Sequence, residues 1–333
     1  MTIGPANKTS RIVTVTFSPC IDKTASVPSL IPEKKLRCSA PTLEPGGGGI
    51  NVARALKKLG GEAIAVYPAG GYTGDFFNHL LLSENIPCIL IKAKEETREN
   101  IIILEESTNR QYRFGMPGTR LEVNEWQEML DRIEQIENTG YIVASGSLPP
   151  GVPVDILAHL ARIARKKNAR FIADTAGEAL RCAIDEGLFM IKPNLAELTA
   201  LSGKAQLQAD EIPKVARKII DEGKCEMIVI SMGAEGAMLV TREQVRLIKP
   251  PAVKIRSTVG AGDSMVAGIV LSLSKGRSFH DATTYGVACG TAATMNPGTQ
   301  LCRQKDVEKL YAVMLAGQVA VPHQETDKDY QLP

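Results

Sequence analysis

The chain has 333 residues and a formal net charge of +2, with 44% hydrophobic and 23% charged residues. That length buries a large core, as one big α/β domain or two smaller ones, and the charge balance holds no long basic block of the kind that binds nucleic acid or a membrane surface. No run approaches the ~18 uninterrupted apolar residues of a spanning helix, and residues 1–10 lack the apolar core of a signal peptide. The seven cysteines (Cys20, Cys38, Cys88, Cys182, Cys225, Cys289 and Cys302) are odd in number with no CxxC pair, the pattern of reduced thiols in a cytoplasmic protein. Four scattered histidines give no zinc site and no Cys/His nucleophile pair. Any chemistry must rest on carboxylates, backbone amides and basic side chains.

Residues 1–10 read as a loose tail. Ile12 to Phe17 is a β-branched run suited to a buried strand, and it ends at Ser18-Pro19-Cys20-Ile21-Asp22. Open α/β sheets place ligand groups at the carboxyl edge of a parallel strand, so Asp22 reads either as a grip for vicinal hydroxyls or as a turn residue. Lys23 to Pro45 has too many prolines and too little period for a helix, and contains the basic run Lys34-Lys35-Leu36-Arg37. Gly46 to Gly49 then open into an amphipathic helix over Ile50–Leu59. Without Cβ atoms the backbone there can approach a ligand, and Asn51 sits in the first turn with an amide that both donates and accepts. A strand at Ala63–Tyr67 and a helix near Gly74–Ser83 follow. Residues 88–92, 101–106 and 110–114 read together as a small β element with a hairpin around Ser107–Arg110, because no helix separates them as a parallel crossover requires.

From 122 the pattern alternates: helix 122–137, strand Tyr141–Ser145, helix 153–166, strand Phe171–Asp174, helix 176–187, strand Phe189–Ile191. Such alternation argues a parallel sheet covered on both faces. Lys192-Pro-Asn-Leu-Ala-Glu197 opens another helix, and helix 209–221 leads to strand Met227–Ser231. Met232-Gly-Ala-Glu-Gly236 and a hairpin to 249 come next, and helices near 279–294 and 304–315 precede a polar tail at 318–333.

Between that hairpin and the helix near 279–294 lies Ser257-Thr-Val-Gly-Ala-Gly-Asp263, heading an apolar helix stopped by Gly276. A glycine-lined turn at a helix start leaves N–H groups unpaired at the positive end of the dipole, a ready site for phosphate oxygens. A carboxylate beside it repels phosphate but can accept the proton of an attacking hydroxyl; the other reading of Asp263 is a helix cap. There is no GxxxxGK[ST], no G-x-G-x-x-G after the first strand and no protein-kinase signature set. P-loop and protein-kinase phosphate sites are thereby excluded, and an NAD-linked reading is weakened.

Three signatures occur in order: Gly46-Gly-Gly-Gly-Ile-Asn-Val-Ala53 with Gly60 and Gly70, then Lys192-Pro-Asn-x-x-Glu197, then Thr258-Val-Gly-Ala-Gly-Asp263. Across residues 11–315 the chain thus resembles the PfkB, or ribokinase-like, carbohydrate kinases. Lys35-Leu-Arg37 ahead of Glu44, the Thr97-Arg98 pair and the Ser145–Gly151 loop resemble that family's minor-isozyme 6-phosphofructokinase branch. The resemblance implies a three-layer α/β domain over 11–317 with a mostly parallel central sheet and a small β-sheet lid from about 20–45 and 97–117, as in the family. It also implies an ATP- and Mg2+-dependent kinase acting on fructose 6-phosphate, and a homodimer formed through the lid. In some relatives a monovalent cation such as K+ sits by the loops matching 257–261 and 296–300.

By the same resemblance Asp263 would be the general base, with the amides of Gly260, Ala261 and Gly262 holding the anionic transition state. Asp22, Gly47, Gly48 and Asn51 would bind sugar hydroxyls; Lys35, Arg37 and Arg98, with Ser147 nearby, would meet the phosphate the substrate already carries. Asn194 and Glu197 would position Mg2+, and Lys192, Ser231, Gly233, Gly236, Ser257, Val259 and Asn296 would line the ATP side. Two departures stand out: Gly48 where many phosphosugar kinases have lysine, and Ala196 where some have a basic residue. The first favours fructose 6-phosphate over the tagatose 6-phosphate and fructose 1-phosphate alternatives. A sugar-phosphate sensor without activity is disfavoured by the intact Asp263, Glu197 and glycine turn.

Overall fold

The computed structural model describes residues 10–319, so the segments 1–9 and 320–333, read above as tails, lie outside the described residues. Strands β1 (Arg11–Val15), β4 (Ile64–Ala69), β5 (Cys88–Lys92), β8 (Thr139–Ser145), β9 (Arg170–Asp174), β10 (Leu188–Ile191), β11 (Cys225–Ser231), β12 (Ala237–Val240) and β13 (Val245–Ile248) form one sheet. Its order is β13-β12-β11-β10-β9-β8-β1-β4-β5, and every pairing is parallel except the β11-β12-β13 meander.

The strand residues alternate between two faces, and each face carries its own core. One face buries Tyr67, Val143, Met190 and Val229 under α1 (Gly48–Lys58), α2 (Gly71–Ser83), α8 (Ala261–Ser274), α9 (Phe279–Thr294) and α10 (Gln304–Val319). The other buries Val15, Ile142, Ala173 and Ile228 under α3 (Val123–Gln135), α4 (Ile156–Lys166), α5 (Gly177–Glu186), α6 (Leu195–Ser202) and α7 (Ile212–Asp221). The expected three-layer α/β architecture is therefore present. Helix α8 is buried from Ser264 to Leu273 because α9 crosses it closely: a Cβ on Gly268 would stand 2.5 Å from Cys289 Sγ.

A second sheet, β3-β2-β6-β7, is built from β2 (Cys20–Val27), β3 (Thr42–Gly46), β6 (Arg98–Glu105) and β7 (Arg110–Phe114). The hairpin read around Ser107–Arg110 is its β6-β7 turn. Residues 88–92 do not belong to it, contrary to the sequence reading: β5 is the edge strand of the main sheet, parallel to β4 through the α2 crossover. Apolar character decided that placement, since Ile91 is fully buried in the α3-side core. Helix α10 runs to Val319, two residues into the segment read as tail.

Candidate active site

The second sheet stands over the carboxyl ends of the main-sheet strands, and three segments meet beneath it. Asp22 lies on β2, Asn51 in the first turn of α1, and Asp263 in the first turn of α8. Asn51 Nδ2 donates to Asp263 Oδ2 at 3.0 Å across 212 residues of sequence. Asp263 is not a cap: Gly260 is the N-cap, at φ +73°, and no side chain caps the helix. The first-turn amides keep their dipole end open.

Burial pushes the Asp263 carboxyl up to about 7, and the neighbouring Asp174 charge adds to the rise. Hydrogen bonds from Asn51 and Ser145, and the Lys192 ammonium, pull the other way. The residue as a whole is only half-buried, although desolvation is the main cause of the rise. Lys192 Nζ lies 3.1 Å from Asp174 Oδ1. Burial opposes its charge, but Asp174, then Asp263 and Glu197, overcome this and hold its pKa above that of ordinary lysine. Lys192 Nζ stands beside the turn, where a Cβ on Gly262 would meet it at 3.4 Å, ordinary van der Waals contact.

The glycine run packs without room for side chains. A Cβ on Gly46 would stand 2.4 Å from Asp22 Oδ2, and one on Gly48 would stand 2.3 Å from Ser145 Oγ and 2.6 Å from the Gly146 nitrogen. Gly47 adopts φ +111°, which glycine alone takes readily. Asp22 is buried, and its Oδ1 accepts from Asn100 Nδ2 at 3.0 Å and from the Cys20 thiol at 3.4 Å. Burial raises its pKa against those donors.

The other predicted residues differ in how tightly the fold holds them. Arg98, opening β6, donates to the carbonyls of Met116 (2.7 Å) and Ser18 (3.1 Å), and its Nε is buried with no partner among the described residues. Lys35 and Arg37 lie exposed in the β2-β3 connection, and no hydrogen bond or ion pair among the described residues holds them. Ser147 is exposed just after β8. On the far side, Asn194 and Glu197 form a reciprocal capping box: Glu197 N–H donates to Asn194 Oδ1 (2.9 Å) and Asn194 N–H to Glu197 Oε2 (2.8 Å). Ser231 N–H donates to the Pro193 carbonyl at 2.9 Å, joining β11 to that box. Gly233 opens a single 3-10 turn with no atom near its missing Cβ, whereas a Cβ on Gly236 would stand 2.1 Å from the Ile248 carbonyl oxygen. Ser257 Oγ donates to the Gly298 carbonyl (2.6 Å) and accepts from Val259 N–H (3.2 Å). Asn296 is buried, with Nδ2 donating to the Ala292 and Leu301 carbonyls.

Sequence reasoning missed three members of this constellation: Ser145, Asp174 and Asn100. Asp174 ends a parallel strand, which was the available signal; Asn100 carried none, since only the β2-β6 register sets it opposite Asp22. Arg113 of β7 was missed as well, and donates to Thr258 Oγ1 at 3.2 Å from the overlying sheet.

A sequence profile described as pfkB family carbohydrate kinase matches residues 15–306. The chain belongs to that family. Among its relatives in the pfkB family is the ATP-dependent 6-phosphofructokinase isozyme 2 of Escherichia coli K12, 45% identical over 91% of this chain and 99% of the relative. The isozyme 2 enzyme of Mycobacterium tuberculosis H37Rv is 40% identical over 90% of this chain and 89% of its own length. The crystal structure of E. coli phosphofructokinase-2 in complex with fructose-6-phosphate superposes with a TM-score of 0.87 at 43% identity, over 92% of this chain and 99% of the other. More distantly, the 1-phosphofructokinase of Bacillus subtilis is 31% identical over 86% of this chain and 93% of its own length. As a pfkB carbohydrate kinase the protein moves a phosphoryl group from ATP, with a divalent metal, to a hydroxyl. Among the described residues no helix is long and apolar enough to cross a membrane.

Proposed function

We propose that the chain is an ATP-dependent 6-phosphofructokinase transferring the γ-phosphoryl group to the 1-hydroxyl of fructose 6-phosphate. The observation that carries this reading is the Asn51–Asp263 contact. It sets a base poised near neutrality against the hydroxyl-binding first turn of α1, with the open amides of α8 alongside. Asp22 and Asn51 grip the sugar and Asp263 takes the proton of the attacking hydroxyl. The amides of Gly260 to Gly262, with Lys192, steady the migrating phosphoryl group. The buried, unpartnered Nε of Arg98 suits an anionic sugar substituent. Lys35 and Arg37 reach that substituent when their connection folds over the site. The similarity to isozyme 2 enzymes supports fructose 6-phosphate as substrate, and the crowding at Gly48 leaves no room for the lysine found in other phosphosugar kinases.

The nucleotide lies along Lys192, Asn194, Ser231, Gly233, Gly236, Ser257, Val259 and Asn296. Glu197 keeps one carboxylate oxygen outside its capping box, which fits a hard, oxygen-seeking Mg2+ bound through water. Magnesium, when bound, neutralises nucleotide phosphate charge. K+ suits the carbonyl-rich loops at 257–261 and 296–300. A crystal structure of E. coli phosphofructokinase-2 in complex with potassium is among the similar structures. Residues 11–317 act as one kinase unit, cytoplasmic and dimeric through the second sheet. An ADP-coupled assay comparing kcat/KM for fructose 6-phosphate, tagatose 6-phosphate and fructose 1-phosphate tests the reading; it is wrong if the first ranks far below either rival.

A further inference from the structure

Arg54 is a buried cation that the chemistry above does not use. It follows Asn51 by one helical turn on α1, and its side chain is 3% exposed. Its Nε donates to Glu84 Oε1 at 2.8 Å, its Nη1 to the Pro45 carbonyl at 2.9 Å and its Nη2 to Glu44 Oε1 at 3.0 Å. A buried guanidinium needs compensation, but one carboxylate suffices for that, and here there are two. The second oxygen of Glu44 does something else: Oε2 accepts the hydroxyl of Thr299.

That contact joins the two halves of the site. Glu44 lies opposite Asp22 in the β2-β3 ladder, so it belongs to the sugar-facing edge of the smaller sheet. Thr299 is buried beside Gly298, whose carbonyl receives Ser257 Oγ, which in turn accepts from Val259 N–H at the entry to the glycine turn. Gly298 also packs on β2, where a Cβ would stand 3.3 Å from Thr24 Cγ2.

We infer that Glu44, held by Arg54 and bonded to Thr299, is a positioning residue that ties the sugar-binding edge to the nucleotide-side turn, making sugar and nucleotide bind cooperatively. It rests on the kinase reading above. Ordering of β3 by sugar at Asp22 sets the 298–299 loop, and that loop sets the turn that receives the phosphates.

Isothermal titration measures the dissociation constant of a non-hydrolysable ATP analogue with Mg2+, with and without saturating fructose 6-phosphate. In the wild-type chain sugar tightens the analogue about fivefold or more, the lower end of usual coupling. Thr299→Val brings that ratio to within about twofold of unity, Thr299→Ser retains it, and Glu44→Gln lowers it without creating a cavity. A purely structural role would instead lower Tm and weaken both ligands while leaving the ratio alone, and that outcome overturns the tie; so does a wild-type ratio of one. If Thr299→Val fails to fold, Glu44→Gln and Thr299→Ser still decide. Fructose 6-phosphate-dependent ATP consumption by the wild type keeps the two readings apart: its absence sinks the kinase and the tie together, while normal consumption with unchanged ratios sinks the tie alone.

Discussion

Replacing Asp263 by Asn should abolish most of the activity and stabilise the fold, with a definite pH dependence. The carboxyl is raised from 3.8 to about 7 in the folded protein. A carboxyl raised on folding holds its proton in the native state while the unfolded chain releases it, so stability falls as pH rises from about 4 through about 7 and then levels. Three pH units correspond to a ceiling of about 4 kcal/mol, and because Asp263 as a whole residue is only half-buried the realised cost is nearer about 1–2 kcal/mol. Asn keeps the shape and can still accept from Asn51 while carrying no charge. Thermal unfolding followed by circular dichroism should therefore show the variant gaining on wild type between pH 5 and 7, with a plateau of about 2–5 °C above pH 7.5. Turnover in the same preparation should drop about 10²–10⁴-fold, the scale of a lost general base. A variant with near-normal turnover, or one equal in Tm to wild type at pH 8, would refute the assignment of a strained, functional carboxylate.

Three further outcomes follow from the same geometry. For the wild type, kcat/KM should fall as pH drops below about 7; Asp174→Asn should move that limb to lower pH, because the Asp174 charge helps raise the Asp263 carboxyl. Lys192→Met should cost about 3–5 kcal/mol in urea denaturation by stranding Asp174, and raise KM for ATP more than KM for the sugar. Gly48→Ala should lose about 1–3 kcal/mol and weaken sugar binding, since its Cβ meets Ser145 and Gly146 backbone that cannot move aside cheaply.

Local chemistry made much of the protein legible. Alternating β-branched runs and amphipathic helices announced the sheet and its two helical faces, because burial on both sides of parallel strands demands apolar residues throughout. The glycine turn before Asp263 was legible for a similar reason: only a residue without Cβ takes φ +73° at that N-cap with ease. Whether Asp263 was a cap was not legible; the N-cap at Gly260 shows that it is not, and the Asn51 contact supports its reading as a base.

What the chain order hides is everything made by strand register and sheet assignment. Asn100 meets Asp22 because β6 pairs with β2 at one register, and β5 joined the main sheet because α2 carries it across and Ile91 fits the core there. Glu44, Arg54 and Thr299 are ordinary polar residues in sequence, and only folding brings them together in a buried, charge-compensated cluster. Side-chain type follows from the sequence alone. Protonation state and partnership depend on distance and burial, which exist only once segments hundreds of residues apart have packed.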